Sequence, residues 1–328
     1  MKVVVIGLGS MGRRRIRLIK QYDESFIIIG IDLNDQRREI SEKEFGIETD
    51  SDLEKALKAN EFDCAFICTS PLSHSKLINI CLENYLHVFT ELNLISDGYD
   101  ENTDLANKRG KTLFLSSTFL YRTEIKEINR IIKEQVKKIN YTYHVGQYLP
   151  DWHPWESFKD FFVGEKKTNG CREIFAIELP WIIEVFGEVR EIIVRKSKIS
   201  TLNIDYDDSY MLIIEHVSGH RGMIAVNVVS RKPVRNLEIF GEDLYLSWDG
   251  SAEGLKLYDV ENNKEINVNL YDKVDQLENY SKFVVENAYY DEIISFFEII
   301  ENNMVPIYDF EKDKIVLKLI DRIEAELC

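Results

Sequence analysis

Three glycines with the spacing Gly7-Leu8-Gly9-Ser10-Met11-Gly12 follow the apolar run Val3-Val4-Val5-Ile6 and precede a helix-forming segment. In a G-x-G-x-x-G turn between strand and helix, the first glycine permits the tight turn and the second lets the backbone approach a pyrophosphate. The third lets the helix pack on the strand, so that the helix start offers N–H groups and a positive dipole end to phosphates. The backbone amides of Ser10 and Met11 are the expected phosphate donors. Twenty residues past Gly12, Asp32 closes the second apolar run. Its carboxylate can accept from both hydroxyls of an adenosine ribose and would repel a 2'-phosphate, so NAD is favoured over NADP. Arg37 and Arg38 could meet such a phosphate or lie solvated on a helix surface. Arg13, Arg14, Arg15 and Arg17 crowd a helix start, where the macrodipole disfavours cations. They read as a solvated face, with a bound pyrophosphate or a nearby acidic segment as the other way to compensate them.

The elements that must position these residues follow from periodicity. Val3 to Ile6, Phe26 to Ile31, Cys64 to Cys68, His87 to Phe89 and Thr112 to Leu115 are short and β-rich, with amphipathic helical segments between them. Strand and helix in alternation predict a parallel sheet covered on both faces, a doubly wound α/β Rossmann domain over residues 1–120. A helix is expected from Arg122 to about Lys138, then a strand from Ile139 to Gln147. Tyr148 to Asn169 is a long aromatic and polar segment with neither period, and loops of that length in compact domains are usually functional. Cys171 to Phe186 reads as a helix bent at Pro180. Runs at Ile192 to Ile199, Tyr210 to His216, Met223 to Val229, Leu237 to Phe240 and Tyr245 to Trp248 predict an antiparallel sheet. Two helices, about Tyr280 to Asn302 and Phe310 to Leu327, close the chain. Residues 121–328 are thus expected to form an α+β domain on a large, mostly antiparallel sheet.

The bulk numbers exclude other classes. A chain of 328 residues with 45% hydrophobic content is long enough for two cores. Lys and Arg number 41 against 57 Asp and Glu, and a net charge of -16 argues against a nucleic-acid partner. No run approaches the roughly 18 apolar residues of a membrane span, and the first strand reaches its glycine turn too soon for a signal peptide, so a cytoplasmic protein is expected. The five cysteines form no CxxC pair and read as reduced thiols. The six histidines lack ligand spacing, and no metal is expected.

Several separated motifs together resemble the glucose-fructose oxidoreductase, inositol dehydrogenase and MocA (Gfo/Idh/MocA) family along essentially the whole chain. They are Gly7 to Gly12 with Asp32, Cys68-Thr69-Ser70-Pro71-Leu72-Ser73-His74 after a strand, and Val88-Phe89-Thr90-Glu91 at the next strand end. Tyr121-Arg122 after Phe119, Tyr148-Leu149-Pro150-Asp151-Trp152 and Leu237-Glu238-Ile239-Phe240-Gly241 are the others. The resemblance implies that Thr69, Ser70, Pro71 and His74 lie along the nicotinamide ribose and diphosphate, with Glu91 near that ribose. Independently, ligands of open parallel sheets bind beyond the carboxyl ends of the strands, where these residues fall. It also implies a sugar-like substrate and a homodimer or homotetramer.

Two departures bear on catalysis. Family members usually read Glu-Lys-Pro where this chain has Glu91-Leu92-Asn93, and the family's Asp-x-x-x-His helix falls in Gly170 to Glu178, which holds no histidine. Oxidation of a carbinol needs a group to take the hydroxyl proton, and leucine cannot. Glu178 and Glu173, on an apolar helix that would raise a carboxyl pKa, and His153, on the aromatic loop, are the candidates. Tyr148, Trp152 and Trp155 could stack on a sugar ring, and Arg122 and Arg172 could hold a substrate carboxylate or phosphate or pair with neighbouring acids. The expected activity is NAD-dependent oxidation of a hydroxyl of a sugar, amino sugar or nucleotide-activated sugar. The alternatives are a tightly bound, recycled NAD serving elimination or epimerisation, and a noncatalytic dinucleotide-binding sensor or partner subunit.

Overall fold

A computed structural model describes residues 1–152, 157–160, 162–277, 281–302 and 304–326, so His153 and Trp155 lie outside the described residues. The first part of the chain runs β1 (Lys2–Ile6), α1 (Ser10–Tyr22), β2 (Ile27–Ile31), α2 (Asp35–Phe45), β3 (Glu48–Asp50), α3 (Leu53–Ala59) and β4 (Cys64–Ile67). It continues through α4 (His74–Glu83), β5 (His87–Thr90), α5 (Tyr99–Arg109), β6 (Leu113–Leu115) and α6 (Thr123–Lys133). The second sheet follows as β7 (Asn140–Gly146), α7 (Gly170–Phe186), β8 (Val189–Ser197), β9 (Ser209–His216), β10 (Arg221–Asn227) and β11 (Val234–Phe240). The chain ends with β12 (Tyr245–Trp248), β13 (Lys256–Asp259), β14 (Lys264–Asn267), α8 (Glu286–Asn302) and α9 (Phe310–Ala325).

Two compact units result. The first comprises Met1–Ser117 and Tyr289–Leu317, the second Thr118–Ala288 and Lys318–Cys328. The switch thus falls three residues before the expected 120/121 boundary, and the first unit takes back a C-terminal stretch that a linear division leaves in the second. The reason is aromatic. Phe66, Phe89 and Phe114 stand in register on β4, β5 and β6, stacked 4.8 and 5.0 Å apart, and Phe296 of α8 meets all three edge-on. Edge-to-face ring pairs add to the burial of such large side chains, so covering this ladder holds α8 on the first sheet.

That sheet is six-stranded, in the order β3-β2-β1-β4-β5-β6, and every pair is parallel. Its central strands are apolar on both faces, as coverage by helices on both sides requires. Asn34 caps α2 by accepting from the Arg37 amide at 3.1 Å, and Gly46 ends it in the left-handed region at φ 62°. β3 went unread in the sequence because Glu48-Thr49-Asp50 is a short, polar edge.

In the second unit an eight-stranded sheet is ordered β14-β13-β12-β11-β7-β10-β9-β8, with one parallel pair, β7 with β10, among antiparallel ones. Strand alternation puts Tyr141, Tyr143, Leu212, Ile224 and Leu237 on the buried face, where Phe186 of α7 stacks on Tyr141 at 4.0 Å and Trp181 meets Tyr143 edge-on. α7 continues through Pro180, and α6 ends at Lys133, short of the expected Lys138. No described helix is long and apolar enough to cross a membrane.

Candidate active site

The glycine turn is held by two of its glycines and opened by the third. Gly7 has φ 92°, and a Cβ there would stand 2.7 Å from the Cys68 carbonyl oxygen. A Cβ on Gly12 would meet the Gly7 carbonyl oxygen at 1.8 Å, so α1 passes over the turn at a distance no other residue allows. Gly9 is the N-cap of α1, with no side-chain cap, and a Cβ on it would meet only Arg37 Nη1, at 3.8 Å. The space before the α1 amides of Ser10 and Met11 is therefore free of side-chain carbon, and a diphosphate fits the donor set and the dipole.

Asp32 is tied to the same turn. Its Oδ2 accepts from the Leu8 amide at 2.7 Å and its Oδ1 from the Asn34 amide at 2.8 Å. Arg38 donates to the Asp32 carbonyl at 2.6 Å and pairs with Asp35, which commits it to the start of α2. Arg37 remains half exposed, 3.9 Å from Asp32 Oδ2.

The loop after β4 is fixed from within. Thr69 Oγ1 lies 2.7 Å from Ser73 Oγ, which donates to the Ser70 carbonyl, and Pro71 is buried behind them. His74 is 1% exposed; its Nε2 donates to the Thr69 carbonyl at 2.9 Å and its Nδ1 lies 2.7 Å from the Asn93 amide. Burial pushes its pKa below the usual value. With both nitrogens engaged, His74 pins the loop carrying Thr69 and Ser70 rather than facing a cofactor, which corrects its expected role.

Glu91 ends β5 as expected, but it stands in a cluster the sequence did not disclose. Arg15, fully buried, donates from Nε to Glu91 at 2.6 Å and from Nη2 to Glu292 at 2.8 Å and Ser116 at 3.1 Å. Glu292 also accepts from the Ser117 amide at 2.9 Å. The Arg15 guanidinium lies 4.5 Å from the centre of the Phe89 ring. Burial works against its charge, but Glu91 and Glu292 outweigh it and hold the pKa above the ordinary arginine value. Burial likewise raises Glu292. Arg14 is buried as well, stacked on Tyr289, so the arginine cluster is not a solvated face. A four-residue offset of Arg15 from the apolar Met11 and Ile19 was the one signal of its inward direction.

In the second unit the arginine candidates are spent on structure. Arg122 is 1% exposed, grips Glu124 through Nε at 2.9 Å and Nη2 at 2.6 Å, and donates to the Phe283 and Gly250 carbonyls. Arg172 pairs with Asp321 at 2.7 Å and Glu324 at 2.5 Å. Neither is placed to hold a substrate anion, and the second of the two alternatives, pairing with neighbouring acids, applies. Glu178 is equally committed: Oε1 accepts from Arg235 Nε at 3.0 Å and Nη2 at 2.5 Å, and Oε2 from Tyr143 and Trp181, both at 2.7 Å.

Glu173, one and a half turns earlier on α7, differs in kind. Its Oε2 is shut off from solvent and has no hydrogen-bond partner, and burial pushes its pKa up to about 8. The Trp152 Nε1 donor is likewise buried and unpartnered, and the ring edge of Trp152 would be 3.4 Å from a Cβ on Gly170, one turn before Glu173. Tyr148 carries the Arg231 guanidinium 3.6 Å from its ring centre. A carboxyl that changes protonation near neutral pH can accept and return a hydroxyl proton.

Comparison with known proteins gives matches to both units. Residues 1–117 match the family model described as an oxidoreductase family with an NAD-binding Rossmann fold. The chain is 29% identical to biliverdin reductase A of Mus musculus over 196 residues, 57% of this chain and 58% of that protein. It is 31% identical to myo-inositol 2-dehydrogenase of Thermotoga maritima over 93 residues, 28% of each. The matched stretches thus span less than two thirds of either relative. Levoglucosan dehydrogenase, solved in complex with NADH, has the same fold at a TM-score of 0.81 and 15% identity, covering 99% of this chain and 95% of that one.

Proposed function

We propose that the chain, whose residues 1–117 match the Gfo/Idh/MocA oxidoreductase family model, is an NAD-dependent oxidoreductase acting on a hydroxyl of a sugar, amino sugar or nucleotide-activated sugar, with Glu173 as the proton-handling residue. The observation that carries the reading is the Glu173 carboxyl, whose Oε2 is shut off from solvent without a hydrogen-bond partner and whose pKa burial pushes up to about 8. NAD supplies the hydride acceptor. Glu173 in its ionised form takes the proton that leaves the carbinol oxygen, and returns it in the reverse direction. The Trp152 Nε1–H donates to a neighbouring substrate oxygen, and Tyr148 offers a ring face. Glu178 serves by holding Arg235, Tyr143 and Trp181 in place. Relatives named for myo-inositol and levoglucosan support a polyhydroxylated substrate.

The test is a panel of sugars, sugar acids and nucleotide sugars screened for NADH formation at 340 nm, with Glu173→Gln beside the parent. Activity in the parent that rises with pH through about 8, a dependence that Glu173→Gln removes, is the expected result; undiminished turnover by Glu173→Gln sinks the assignment. A second reading rests on Leu92 and on the sequestration of Glu178, which leave few titratable groups for chemistry: a noncatalytic dinucleotide-binding subunit. NADH binding without turnover of any member of the panel would select it.

A homo-oligomer is part of the same proposal. On the second sheet's open face Ile193, Ile213 and Met223 stand side by side across β8, β9 and β10, 54%, 54% and 53% exposed, with Met211 beside them at 66%. Contiguous exposed apolar surface of this kind marks a protein interface, and a second copy of this sheet fits it.

A further inference from the structure

The first sheet has a second cleft, at the end opposite the glycine turn. It has a volume of about 190 Å³ and lies where β4, β5 and β6 begin, with Asp63, His87 and Lys111 on its wall beside the apolar Phe62 and Ile300. The turn, Asp32, Cys68 and Glu91 all follow the carboxyl ends of the strands. Strands of four or five residues rise about 3.3 Å each, which separates the two regions by on the order of 15 Å.

The polar groups in this cleft are mismatched in a way that specifies a ligand. The Thr112 amide donates to His87 Nδ1 at 3.1 Å, so that nitrogen carries the lone pair and the ring proton is on Nε2. Nε2 in turn faces Lys111 Nζ at 3.4 Å. Two donors therefore point at one another with no acceptor between them. His87 does not resolve the conflict by taking a second proton: burial and the neighbouring Lys111 push its pKa down to about 4. Nor does Lys111 have a carboxylate within ion-pair reach among the described residues, while the one acid on the wall, Asp63, accepts from the Lys2 amide at 2.7 Å. An acceptor carrying negative charge, placed between Nε2–H and the ammonium, satisfies both donors with charge-assisted bonds.

We propose that this cleft binds the carboxylate or phosphate of a small organic anion, held between His87 Nε2–H and the Lys111 ammonium, with the ligand's apolar part against Phe62 and Ile300. The volume is below the roughly 300 Å³ at which drug-sized pockets begin, so the ligand is a small metabolite. The proposal is independent of what the enzyme oxidises.

The test is thermal unfolding of the full chain in sodium phosphate, sodium butyrate and sodium chloride at matched ionic strength. A ligand at ten times its dissociation constant stabilises by about 1.4 kcal/mol, which for a chain of this size is a rise of roughly 2 °C. A saturable rise with phosphate alone assigns a phosphorylated ligand and one with butyrate a carboxylate. Either rise should vanish in Lys111→Met and persist in Lys58→Met, a change at a lysine exposed on α3. Titration in a 15N-labelled sample gives a second readout, since the His87 Nε2 resonance must move with the same saturation. Equal effects of all three salts, the same rise in Lys111→Met, or a stationary His87 resonance overturns the proposal; should Lys111→Met fail to fold, the resonance decides.

Discussion

Two alanine substitutions in the glycine turn should separate folding from cofactor binding. At Gly12 the added Cβ would stand 1.8 Å from the Gly7 carbonyl oxygen and 2.9 Å from its carbon. A carbon and an oxygen need about 3.2 Å, so α1 must retreat by more than an ångström, a strain that overpacking places at about 1–3 kcal/mol or above. The same retreat takes the Ser10 and Met11 amides away from a diphosphate. At Gly9 the Cβ enters open space, at 3.8 Å from a flexible arginine end, and φ of -71° suits alanine. Gly9→Ala should therefore leave the urea midpoint within about 0.5 kcal/mol of the parent while its methyl occupies the diphosphate's approach. Loss of one charge-assisted bond costs about 1.5–3 kcal/mol, so NADH should bind at least tenfold more weakly to both variants by titration calorimetry. A Gly9→Ala protein that binds NADH as the parent does, or that unfolds as readily as Gly12→Ala, would refute the assignment of the two glycines.

Arg15→Met leaves Glu91 and Glu292 facing each other without their shared cation, and should cost about 3–5 kcal/mol in chemical denaturation; adding Glu292→Gln should restore part of it, and a loss below about 1 kcal/mol would contradict the cluster. Burial raises the folded pKa of Glu173 to about 8, well above that of an ordinary glutamate, so the folded state holds the extra proton. Its contribution is favourable below the unfolded value and falls as pH rises between the two, by an amount on the order of a few kcal/mol, so Glu173→Gln should flatten the fall in stability from pH 5 to 9; an unchanged slope counts against the shift. Ile213→Glu on the open sheet face should lower the mass seen by light scattering to that of one chain at unchanged helical circular dichroism, and an unaltered mass removes this face as the interface.

How much of this was legible depends on whether a residue's fate is decided locally. The parallel strands declared themselves because Val3 to Ile6 and Cys64 to Ile67 are buried on both faces and carry no polar residue. β13 and β14 did not: Lys256–Asp259 and Lys264–Asn267 lie at the sheet's outer edge, where a strand forms by pairing with its neighbour without any apolar face to mark it. The place of α8 was invisible for a different reason. Its covering of Phe66, Phe89 and Phe114 is a pairing across some two hundred residues, and periodicity reports only that such a helix has an apolar stripe.

The site residues divide along the same line. Gly7, Gly12 and Asp32 act through their own backbone or through a neighbour on the next strand, and spacing alone placed them. The arginines were misjudged because an isolated arginine on a helix belongs to solvent unless a carboxylate waits for it inside, and the carboxylates for Arg15 and Arg172 come from Glu292 and from Asp321 and Glu324, 277, 149 and 152 positions away. Glu178 and Glu173 show the converse: five residues apart on one helix, they differ in that Arg235, Tyr143 and Trp181 reach the first. The first is a neutralised structural acid; the second has an Oε2 left without a hydrogen-bond partner. That difference, set in part by a strand more than fifty residues downstream, is why the role we propose, proton handling, is assigned to Glu173.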